Sequence, residues 1–105
     1  MELDIKQVKT LYSIFKVSYQ KKVVLNKKEV AGMICWSANY FKISTNQTSI
    51  KTQLQTIMHE TLHAIFGELK IDFDNEKELD LLANTLVKFI QDNPLLIDTI
   101  LKEGK

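Results

Sequence analysis

Near residue 46 the hydrophobic positions change their spacing. Before it, apolar and polar residues alternate in short runs; after it, apolar residues recur every three to four positions. Period two is the mark of a half-buried strand and a period near 3.6 that of an amphipathic helix, so a β-rich half precedes a helical half.

In the first half, "LYSIFKVSYQ" (11–20) is rich in β-branched and aromatic residues and predicts a strand. The preceding Ile5, Val8, Leu11, Tyr12 and Phe15 also fit a helical stripe, which leaves residues 2–11 open. "GMICW" (32–36) and "YFKIS" (40–44) predict two strands of a hairpin joined by "SAN", with Asn39 suited to positive φ. The polar, lysine-rich segment 20–31 reads as a long loop.

In the second half, "TSIKTQLQTIMHETLHAIF" (48–66) predicts a helix capped by Thr48 or Ser49. Ile50, Leu54, Ile57, Met58 and Ile65 form its apolar stripe, and Gly67 suits the position just past its end. "NEKELDLLANTLVKFIQDN" (75–93) predicts a second helix that buries Leu79, Leu82, Ala83, Leu86, Phe89 and Ile90. Asn75 and Glu78 have the spacing of a capping box. Pro94 stops this helix and can open a short third one from the N1 position. The pattern describes one α+β domain over residues 1–105, a short antiparallel sheet or hairpin packed on two helices.

Composition narrows the function. Net charge is +1 and all 14 basic residues are lysines, so the chain has neither the basic excess nor the arginines that read nucleic acid. A single cysteine, Cys35, excludes an internal disulfide and suits a reducing compartment. The N-terminal "MELDIKQVKT" lacks the apolar core of a secretory signal, and no apolar run is long enough to span a bilayer. These features predict a cytoplasmic protein with no membrane partner.

The candidate chemistry lies in "HETLH", residues 59–63, which holds both histidines of the chain. Residues four apart on a helix are separated by about 40° around the axis, so His59 and His63 can converge on one ion. Neutral imidazole is a good Zn²⁺ ligand. Glu60 lies about 60° beyond His63 on the helical wheel, too far round to be an equal ligand but within reach of water beside the ion, where a general base belongs. Relative to the apolar stripe, both histidines face another surface, which the second helix and the sheet could close into a cleft. The plainer alternative is two ordinary surface histidines on a helix.

A catalytic zinc site takes three protein ligands. Cys35 is one candidate for the third, although a buried thiol in an apolar strand is more often simple packing. The acidic segment "DFDNEKELD" (72–80) is better placed, and it lacks the turn glycine and final acid of a calcium-binding loop. The wheel does not choose between Glu76 and Glu78. With Asn75 as cap, Glu78 turns back toward the cap and Glu76 is free to point at the first helix. Asp80, one turn on, could orient a ligand histidine.

The HETLH helix, the acidic turn, "E-x-x-L-x-x-L-A-N-x-L", "QDNP" and the upstream "G-x-I-x-W…N-x-F-K-I" resemble small phage- and mobile-element-encoded proteins related to the ImmA/IrrE zinc metallopeptidases. The resemblance covers about residues 31–95. It implies a zincin-like fold, zinc held by His59, His63 and Glu76, Glu60 as the base, and hydrolysis of a protein or peptide amide bond in the cytoplasm, for a phage protein that of the host. Larger relatives often carry a DNA-binding domain and act on repressors, which suggests a phage or mobile-element regulatory protein as substrate. A peptide would lie antiparallel to an edge strand, with Tyr40–Ser44 the candidate. With no arginine and no third histidine, Tyr12, Tyr19 and Tyr40 are the remaining groups for an oxyanion. Two alternatives stand beside this reading: a zinc-binding interaction module that cleaves nothing, and an interaction fold that binds no metal.

Overall fold

The computed structural model describes residues 3–46 and 49–104. Six strands precede three helices: β1 (Gln7–Lys9), β2 (Ile14–Gln20), β3 (Val23–Leu25), β4 (Lys28–Val30), β5 (Gly32–Cys35), β6 (Tyr40–Ser44), α1 (Ile50–Glu68), α2 (Glu76–Asp92) and α3 (Pro94–Glu103). The α+β class is as the pattern predicted.

The sheet is mixed, not purely antiparallel. Its order is β1-β2-β6-β5, and β2 runs parallel to β6 from Lys16↔Tyr40 to Gln20↔Ser44. Alternation identifies a strand without naming its neighbour, so the parallel pair left no sign in the sequence. The β5–β6 hairpin is present, with Asn39 at φ 53° after a 3₁₀ turn over Trp36–Ala38. The open segment 2–11 contains β1, paired with β2 through Val8↔Phe15. Leu11 and Tyr12 protrude from the β1–β2 turn, and this rules out a helical stripe through them.

Residues 20–31 are not a loop. They contain the hairpin β3–β4, closed by Asn26 and Lys27 at φ 53° and 65°. Two successive positive φ values make the tight turn whose twist suits a two-residue hairpin. Lysine at the second position hides the turn, because glycine is its usual occupant.

The core has two parts because α1 is covered on two sides. Toward the sheet, Ile57 and Ala64 pack on Phe15, Phe41 and Ile43, with the two phenylalanine rings stacked at 4.9 Å. Toward α2, Leu62 meets Leu79 and Ala83. The single stripe read from the sequence omitted Leu62 for this reason. In α2, Val87 is buried while Phe89 and Ile90 are exposed, contrary to expectation. Here the helix passes beside the polar start of α1, where Lys51 and Gln55 share a shallow groove with Phe89.

Ser49 caps α1, accepting from the Thr52 amide at 3.1 Å; Thr48, the other candidate, lies outside the described residues. The helix runs through Gly67 and ends later than predicted. Lys70 takes the left-handed position at φ 59°, and bonds from Ile71 N to Phe66 O and from Lys70 N to Gly67 O complete a Schellman closure. Gly67 serves packing instead: a Cβ there would stand 2.7 Å from Cη2 of Trp36. Among the described residues, no helix is long and apolar enough to cross a membrane.

Candidate metal centre

Two contacts place α1 beside the sheet edge and α2. Gly32 of β5 faces Thr56, one turn before His59, and a Cβ on Gly32 would meet Thr56 Cγ2 at 2.6 Å. The helix therefore lies closer to β5 than any side chain at position 32 would permit. On its other flank Leu62 and Leu79 bring α2 alongside.

This packing delivers the first turn of α2 to the histidines. Oε2 of Glu76 lies 2.8 Å from Nε2 of His59, and Oε1 lies 3.0 Å from Nε2 of His63. The imidazole centroids are 4.9 Å apart. One ligand atom from each of His59, His63 and Glu76 falls within 4.8 Å of the others. Two imidazole nitrogens and a carboxylate oxygen form a donor set suited to a divalent ion, so these three residues can hold a metal ion. Among the described residues this is the one such group; Cys35, half-buried in β5, is not part of it.

The local sequence explains why Glu76 and not Glu78 faces the histidines. Asn75 is the N-cap and accepts from the Glu78 amide at 3.0 Å, which leaves Glu76 at N1 on the side of α1. Asp80 lies one turn on, with Oδ1 3.3 Å from Nδ1 of His59. A carboxylate there favours the tautomer with the proton on Nδ1 and a lone pair on Nε2, the atom aimed at Glu76.

Glu60 is the buried acid of the cluster, 6% exposed. Burial raises its pKa to about 7, with the Glu76 charge adding to the effect and His59 opposing it. A cation nearby would reverse that balance and favour the carboxylate. Burial also lowers the proton affinity of His63, outweighing the upward pull of Glu76, and so favours the neutral ring that can act as a ligand.

Comparison of the chain with family models, curated proteins and solved structures returns no match. The case for the site therefore stands on its geometry.

His59, Glu60, His63, Glu76 and Asp80 line one groove of about 610 Å³, walled by the β3–β4 hairpin, β5 and α1. The strand along it is β5, an edge of the four-stranded sheet; the expected Tyr40–Ser44 strand lies inside the sheet between β2 and β5. None of the three tyrosines is among its lining residues. Tyr19 instead donates to the Ile5 carbonyl at 2.7 Å, and Tyr12 is exposed on the β1–β2 turn. Leu25 and Val30 are invisible as lining residues in the sequence, because their hairpin reads as loop. Trp36 reads as the last residue of a strand, whereas it turns off that strand into the groove.

Proposed function

We propose that the chain is a zinc-dependent peptide hydrolase with a zincin-like arrangement, related to the ImmA/IrrE metallopeptidases. The observation that carries this reading is the convergence of His59 Nε2, His63 Nε2 and the Glu76 carboxylate beside the buried Glu60. The donor set of two imidazoles and one carboxylate favours zinc over the hard, oxygen-seeking cations.

A zinc ion held there would supply Lewis acidity, lowering the pKa of water and polarising an amide carbonyl. The protein does the rest. His59, His63 and Glu76 fix the position of the centre, and Asp80 holds the His59 ring in its tautomer. Glu60 takes a proton from the attacking water and delivers it to the leaving amine. The edge strand β5 offers main-chain groups to an extended substrate, which would pair with it as an added strand and lie across the histidines. A regulatory protein of a phage or mobile element is the substrate that the sequence resemblance suggests.

One feature favours a second reading. Among the described residues, no lysine or tyrosine lines the groove to neutralise an oxyanion, and the Thr56 hydroxyl donates to the Thr52 carbonyl at 3.0 Å. A zinc-binding module that holds a peptide without cleaving it needs no such group.

The deciding experiment uses untagged protein. Elemental analysis should give one zinc per chain, and the protein should hydrolyse a dye-quenched unfolded protein. Glu60→Gln should retain zinc and lose turnover. Zinc with no turnover in the native chain would leave the binding module, and absence of zinc would overturn both readings.

A further inference from the structure

Apart from the metal-centre residues, the groove is lined almost entirely by apolar side chains. Leu25 and Val30 come from the β3–β4 hairpin, Met33 and Ile34 from β5, and Trp36 from the turn that follows. The chain has 14 basic residues, yet among the described residues no lysine lines this groove. Besides the two histidines, its ionisable groups are the acids Glu60, Glu76 and Asp80.

Trp36 is fixed in place. Its ring meets Phe15 edge-on at 6.1 Å and lies against Gly67, where a Cβ would come within 2.7 Å of Cη2. Gly67 is four residues after His63, so the indole covers the α1 face one turn from a candidate ligand. About half of Trp36 is exposed, which leaves a rigid aromatic surface free for contact.

The form of the occupant follows from β5. Successive side chains of a strand point to opposite faces, yet Gly32, Met33 and Ile34 all line the groove. The groove thus runs along the strand edge, and the shape that follows a strand edge is another extended chain. Its apolar walls reward a large apolar side chain and penalise the desolvation of a charged one.

We infer that the groove is a subsite for an extended peptide bearing a bulky, uncharged apolar side chain beside the metal centre, and that Trp36 determines this preference. The inference rests on the peptide-hydrolase reading for its location and is tested by binding alone. The probes are dye-labelled glycine–serine hexapeptides with one variable residue, Phe, Leu, Ala, Asp or Lys, titrated by anisotropy into zinc-loaded Glu60→Gln protein. The Phe and Leu peptides should bind at least ~10-fold tighter than the Ala, Asp and Lys peptides. Trp36→Ala should shrink the Phe-to-Ala ratio to within ~3-fold. Leu25→Lys, on an exposed hairpin position, should raise the affinity of the Asp peptide relative to the Phe peptide; it decides the matter if Trp36→Ala no longer melts cooperatively.

Equal binding of all five peptides, no binding of the Phe and Leu peptides, or an unchanged preference in a folded Trp36→Ala protein would overturn the inference. Failure of the hydrolase reading would look different: intact selectivity in Glu60→Gln, with no turnover by the native chain.

Discussion

Oε2 of Glu76 lies 2.8 Å from Nε2 of His59, joining the first turn of α2 to the middle of α1. If this contact marks a ligand set, zinc affinity should depend on Glu76 and not on Glu78. His59→Ala, His63→Ala and Glu76→Gln should each abolish stoichiometric zinc in elemental analysis, while Glu78→Gln retains it. Undiminished zinc in the double histidine variant would place the ion elsewhere.

Asp80 should act through His59. Its carboxylate is 3.3 Å from Nδ1, and loss of such a partner typically weakens metal binding ~10–100-fold. Asp80→Asn should therefore bind zinc more weakly in a competition titration with a chelating dye, without a change in stoichiometry. Affinity equal to that of the native chain would remove Asp80 from the site.

The approach of α1 to β5 depends on Gly32. A Cβ there meets Thr56 Cγ2 at 2.6 Å, and overpacking of this kind costs about 1–3 kcal/mol. Urea denaturation of Gly32→Ala should show that loss. Adding Thr56→Ser removes the clashing methyl and should restore part of it; the Lys42 carbonyl, 3.1 Å from the same Cβ, limits the recovery. Additive losses in the double variant would show that the two positions do not meet.

Glu68 should make stability sensitive to acid. Its carboxylate accepts from the Thr10 hydroxyl at 2.6 Å and the Leu11 amide at 3.0 Å, and the Thr10 bond leads in lowering its pKa below the ordinary glutamate value. A folded pKa below the unfolded one means that the contribution is present above the unfolded value and lost as pH falls through the folded one. Thermal melts of the native chain and Glu68→Gln should differ at neutral pH and converge under acid. A constant difference across the range would show that the charge has no role.

The helical half was the more legible one. Asn75 as cap predicted both where α2 begins and which acid would face α1, because capping is decided within four residues. HETLH on one helix face is likewise local. What escaped was set by partners distant in sequence. The wheel of α1 treats the helix as having one buried side, whereas Leu62 and Ile57 are buried against different neighbours. Trp36 could not be placed in the groove without knowing that Gly67 leaves room for its ring. The β3–β4 hairpin was hidden by its chemistry, since Lys27 occupies a backbone conformation normally left to glycine.

The parallel pairing of β2 with β6 has a consequence for how the chain acquires its shape. β3–β4 and β5–β6 can each zip from a tight turn, but β2 joins β6 only after residues 21–39 have been made and folded back. During synthesis β1 and β2 emerge before β6, and β2 waits with its far edge uncovered, an edge that any other extended chain could occupy. Lys16 and Gln20, which bond Asn39 and Thr45 across this edge in the finished sheet, thus mark the main-chain groups through which a stalled or truncated chain would aggregate.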